Sequence, residues 1–107
     1  MHCFFLQQTH YLVYLFISME ININDITFII VTYKSESVIK TCLDTLPKQS
    51  KKIIVENSKN IELKNDLENN YDNIEVIMNE NLGMGASNNV GIQLSKTKYV
   101  YILLWTS

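Results

Sequence analysis

Thr32, Tyr33 and Glu36 stand at the end of one apolar run, Glu56, Asn57 and Ser58 after a second, and the stretch from Asn79 to Gly85 after a third. Carboxylates, amides, hydroxyls and a phenol gathered this way supply hydrogen-bond donors and acceptors, and glycine lets backbone come close to a ligand. That is binding chemistry. Other chemistry lacks its residues: no Gly-x-x-x-x-Gly-Lys-Ser/Thr loop supports an NTPase, and Cys3 and Cys42 belong to no Cys-x-x-Cys or Cys/His cluster spaced for zinc. His2 and His10 are assigned no role.

Such residues act together only if the elements before them end on one side of the molecule. Ile26 to Tyr33 is a β-branched and aromatic run of the kind buried on both faces of a parallel sheet. Ser35 is placed to cap a helix with Glu36 in its first turn; Ile39, Cys42, Leu43 and Leu46 form its apolar stripe and Pro47 stops it. Cys42 is therefore expected in the core. Ile53 to Val55 predicts a second strand, Leu63, Leu67 and Tyr71 a more polar helix, and Ile74 to Met78 a third strand. Ala86, Val90 and Leu94 mark a third helix and Tyr99 to Leu104 a fourth strand. This alternation predicts βαβ units and a parallel sheet of about four strands with helices on both faces. Such sheets bind ligands at the carboxyl ends of their strands, where all three polar clusters fall.

Composition bounds the answer. With 47% apolar and 19% charged residues, three Gly and one Pro, the 107-residue chain is at most one globular domain. Nine Lys, no Arg and a net charge of −2 remove the phosphate attraction on which a nucleic-acid binder relies. The abundance of Ile and Asn implies no function. The two cysteines suggest a reducing compartment, so a cytoplasmic location is expected, at most peripheral to the inner face of the membrane. Residues 1–18 read as an apolar extension upstream of a natural start at Met19, leaving a domain over 19–107; a short membrane-touching anchor is the other reading. Tyr11 to Ile17 is too short to span a bilayer, and no Lys or Arg precedes Lys34, as a secretory leader would require.

Three blocks together resemble the N-terminal half of a family 2 glycosyltransferase, in its rhamnosyltransferase-like branch. They are Ile29-Ile30-Val31-Thr32-Tyr33-Lys34-Ser35-Glu36, Ile53-Ile54-Val55-Glu56-Asn57-Ser58, and Glu80-Asn81-Leu82-Gly83-Met84-Gly85-Ala86-Ser87-Asn88-Asn89-Val90-Gly91. The resemblance implies the GT-A fold and a nucleoside diphosphate sugar donor of UDP or dTDP type. It implies that Thr32 and Tyr33 line the base pocket, and that Glu56, standing for the usual Asp, accepts from the base imino N–H. Asn57 turns the chain away from the second strand. Glu36, Asn81, Gly83, Gly85, Asn88 and Asn89 complete the donor site, with Asn88 where many members carry Arg. Each has a plainer reading as well: Tyr33 as an aromatic packed on a helix, Glu56 as a solvated loop acid, Asn81 to Gly85 as a tight turn.

Complete members carry an Asp-x-Asp or Asn-Pro-Asp after the fourth strand to hold Mg²⁺ or Mn²⁺ on the diphosphate. Here those positions are Leu104, Trp105 and Thr106. The fragment is therefore expected to hold no cofactor or metal and no catalytic residue, the acceptor half and its general base being absent too. The final residues read like a reading-frame change or an interrupted gene. A truncated sheet should leave Tyr101, Leu103 and Trp105 seeking burial on one face, with poor solubility. The expected function is nucleotide-sugar binding for transfer to a polysaccharide or lipid-linked acceptor, without transfer by this chain alone. The alternative is a non-catalytic nucleotide-binding or partner-docking domain using its fourth strand for β-addition. A response-regulator-like module is disfavoured because no acidic cluster ends the first strand.

Overall fold

The structure, a computed structural model, describes residues 2–3, 22–80, 83–103 and 105–106. The proposed start at Met19, Asn81 and Leu104 lie outside them. In chain order the strands are β1 (His2–Cys3), β2 (Ile26–Thr32), β3 (Lys51–Glu56), β4 (Ile74–Met78), β5 (Tyr99–Leu103) and β6 (Trp105–Thr106). The helices are α1 (Glu36–Asp44), α2 (Ile61–Asn70) and α3 (Met84–Leu94). Four strands form one parallel sheet in the order β4-β3-β2-β5, and β1 pairs antiparallel with β6 in a separate two-stranded ribbon. The expected α/β sheet with helices on both faces is present.

All seven residues of β2 are buried, as its unbroken apolar run demands for a central strand. Alternation along the strands then divides the core. Ile26, Phe28, Ile30, Ile54 and Val76 point to the face covered by Ile39 and Leu43 of α1 and Leu63 and Leu67 of α2. Val31, Ile53 and Val55 point to the other face, against Val90 of α3. Chain direction therefore changes face between β4 and α3, so the connection after Met78 must cross the carboxyl edge of the sheet. Gly91 makes the second layer possible: a Cβ there would lie 2.6 Å from Ile29 Cγ2, so only glycine lets α3 approach this closely.

Local reading and structure differ in instructive places. β3 starts at Lys51, two residues before the apolar core of the strand, because in-register pairing of Lys51 with Thr27 and of Lys52 with Phe28 extends it. Lys52 is only 5% exposed, and burial pushes its ammonium pKa down. Ser35 occupies the N-cap of α1 without a side-chain cap bond; its hydroxyl donates to Tyr33 O (3.1 Å) and accepts from Tyr33 N–H (3.3 Å), closing the turn instead. Asn60 caps α2, accepting from Leu63 N–H at 3.0 Å. Leu103 and Tyr101 do find burial: Leu103 is 3% exposed and Tyr101 packs edge-on against Phe28, because the alternation of β5 aims both at the α1–α2 face. Cys42 is buried in the core as expected, yet it is disulfide-bonded, which corrects the expectation of reduced cysteines. Sequence spacing could not show that the fold brings β1 against α1. Among the described residues no helix is long and apolar enough to cross a membrane.

Burial, with its hydrogen bond to Asp44 (3.1 Å), raises the pKa of Tyr71; burial alone raises that of Tyr101. A raised folded-state value means that the stabilisation is complete below the unfolded tyrosine value, about 10, and is lost as pH rises through the folded one. A phenolate absorbance titration should thus show ionisation above that of free tyrosine, and Tyr71→Phe should remove part of this late phase.

Candidate functional site

β2, β3 and β4 all run in one direction, so their carboxyl ends deliver three loops to one edge. There Tyr33, Lys34, Asn57, Ser58, Lys59 and Glu80 line an open cleft of about 510 Å³. Tyr33 and Lys34 come from the first loop, Asn57, Ser58 and Lys59 from the second, and Glu80 comes from the connection that crosses the edge toward α3. Thr32 and Glu56, the last residues of adjacent strands, are register partners beneath the cleft.

Glu56 is fully buried. Its Oε1 accepts from Thr32 Oγ1 (3.1 Å) and Ser58 Oγ (2.7 Å), and its Oε2 from the N–H groups of Ser58 (2.8 Å) and Asn60 (3.0 Å). Four donors fill the four lone-pair positions of a carboxylate, and such charge-assisted bonds are the strong ones. Glu56 is thus neither a solvated loop acid nor, in this arrangement, an open acceptor; it ties residues 57–60 to the end of β2. Ser58 continues the network, its Oγ accepting from Lys34 N–H at 3.1 Å, so the first two loops are fastened together. Asn57 N–H donates to Thr32 O (2.8 Å), and Asn57 Nδ2 reaches Ser87 Oγ (2.7 Å) in the first turn of α3. Asn79 N–H donates to Glu56 O at 3.0 Å, bringing the third loop in.

Tyr33 is 44% exposed, so it is not an aromatic packed under a helix. Lys34 Nζ stands 5.4 Å from its ring centroid. Lys34 and Lys59 have φ of 51° and 58°, the left-handed region that costs an L-residue roughly 1–2 kcal/mol. Gly83, at φ 93°, needs to be glycine for that conformation, whereas Gly85 has open space where a Cβ would go. Asn88 is 9% exposed and Asn89 is exposed on α3. Glu36 is exposed and accepts from Asn60 Nδ2 at 2.6 Å; it lines a separate depression between α1 and α2, not the cleft. Asn57 Oδ1, Asn79 Nδ2 and Asn88 Oδ1 are buried without hydrogen-bond partners, all in the segments that meet at this edge. The motif reading gave no role to Lys34, Lys59 or Ser87. A charged residue directly after each of two strand-exit clusters was the available signal for the lysines; nothing in the sequence marked the contact of Ser87 with Asn57.

The model of glycosyl transferase family 2 matches residues 27–103, the span that builds this sheet and its three loops. The chain belongs to that family. No curated protein and no solved structure matches it. Family 2 membership agrees with the observed four-stranded parallel sheet, an α/β arrangement of GT-A type. The divalent cation that complete members use does not fit the residues described here. Magnesium and manganese prefer oxygen ligands, usually with one or two carboxylates beside the substrate phosphates. Glu56 is saturated, and Glu80, the remaining carboxylate lining the cleft, shares it with two lysines. Among the described residues no three His, Cys, Asp or Glu side chains form a metal-holding group.

Proposed function

We propose that this chain carries the donor-binding region of a family 2 glycosyltransferase and that its cleft takes a nucleoside diphosphate sugar of UDP or dTDP type. The observation that carries this reading is the convergence of Tyr33, the 57–59 loop and Glu80 in one cleft inside the span the family model matches. In this reading the half-exposed ring of Tyr33 provides the face on which a base stacks. Thr32 and Glu56 act from below by holding the loop that carries Asn57 and Ser58. Gly83 gives the third loop its turn toward α3, and Asn57 reaches Ser87 across the same edge. In this reading the chain is similar to the rhamnosyltransferase-like branch, whose members transfer a sugar to a polysaccharide or lipid-linked acceptor.

Binding without transfer is the expected behaviour, because Glu56 is committed to four hydrogen bonds and Glu80 shares the cleft with two lysines. Calorimetric titration of the folded, monodisperse chain should detect UDP or dTDP. Absence of heat and of any thermal stabilisation with both nucleotides at millimolar concentration would remove the reading.

A further inference from the structure

The cleft contains two cations and one anion, Lys34, Lys59 and Glu80, in a chain whose overall charge is −2. Both lysines hold left-handed backbone, a conformation that Asn or Gly adopts with far less strain. The chain does use Asn in that conformation elsewhere, at Asn73 with φ 58°. Lysine at both cleft positions therefore keeps a conformational cost that the commoner residue would avoid. Their setting is also fixed. The Lys34 N–H is tied to Ser58, the residue before Lys59, and Ser58 is tied to buried Glu56. Lys34 Nζ lies over the Tyr33 ring, so one positive charge sits directly beside the aromatic face.

We infer that Lys34 and Lys59 bind the diphosphate of the donor directly, so that this cleft takes a nucleoside diphosphate without a divalent cation. The inference rests on the nucleotide-sugar reading and names the groups that would do there what a metal does elsewhere in the family. The reason is a matter of charge. A diphosphate needs countercharge, the carboxylates that would hold a metal are committed or flanked by ammonium groups, and two ammonium groups on adjoining loops supply it as point charges. Asn88, an uncharged amide, supplies none.

The test compares UDP with uridine by calorimetry, in EDTA, for the full chain and for Lys34→Asn, Lys59→Asn and the double variant. Asn suits left-handed backbone, so each variant should melt at the same temperature as the unaltered chain or a few degrees higher. UDP should bind the unaltered chain in EDTA. It should bind each single variant about three- to tenfold more weakly, and the double variant more than about tenfold more weakly. Uridine binding should fall much less than UDP binding in every variant. UDP affinity of the double variant within twofold of the original, a requirement for Mg²⁺ or Mn²⁺, or an equal fall for uridine would each overturn the inference while leaving nucleotide binding standing. Failure of the unaltered chain to bind either compound would remove the nucleotide reading itself, and this inference with it.

Discussion

Replacing Glu56 by alanine should lower the melting temperature by more than about 12 °C, although the residue lies outside the hydrophobic core clusters. Its carboxylate accepts from Thr32 Oγ1, from Ser58 Oγ and from the N–H groups of Ser58 and Asn60. Truncation removes the shared acceptor at a fully buried position and strands the buried Thr32 hydroxyl with the donors of the loop, and each buried unsatisfied polar group costs about 1–3 kcal/mol. A total of about 3 kcal/mol or more follows even if relaxation rescues some of them. In a domain of this size each kcal/mol corresponds to roughly 4–8 °C. Ser58→Ala, which removes one of the four bonds, should cost markedly less. Glu56→Gln should fall between them, because its amide N–H₂ must face a donor. Thermal melts followed by circular dichroism measure all three, and a Glu56→Ala chain within about 1 kcal/mol of the original would show that the network is not what holds the loop.

Two glycines of one helix should respond to the same substitution with opposite signs. Gly91→Ala places a methyl 2.6 Å from Ile29 Cγ2, the β-branch of a fully buried residue of the central strand. Overpacking of this kind costs about 1–3 kcal/mol, which exceeds the roughly 1 kcal/mol that alanine gains over glycine in a helix. Gly85→Ala meets nothing within 4 Å and keeps that gain, so it should stabilise by up to about 1 kcal/mol. Urea unfolding of both variants decides the matter; a stabilised Gly91→Ala would mean that α3 does not pack on β2 as closely as described.

Much of the fold was legible because its signals are local. The β-branched run of β2, the Leu63–Leu67 spacing of α2 and the strand at Ile74–Met78 each announce an element from a few neighbouring residues. Polar residues at a strand's end were read less well: Lys51 and Lys52 belong to β3 only because β2 and β4 offer them partners. At the site, the structure gathers Tyr33 and Asn57 in one cleft, buries Glu56 among four donors and turns Glu36 toward another depression. An acid after a strand looks the same in sequence whether four donors surround it or water does.

Sequence alone determined the order of the four strands of the parallel sheet and the three helices between them, and the presence of polar clusters after three strands, because hydrophobic periodicity and turn chemistry act between near neighbours. Tertiary structure alone decided which of those residues share a cleft, that Glu56 is an internal clamp, that Glu36 faces another surface, and that Gly91 rather than Gly85 is sterically required. Those outcomes depend on distances between residues 24 to 62 positions apart, such as Thr32 with Glu56 or Ile29 with Gly91, which come into being only when the sheet is assembled.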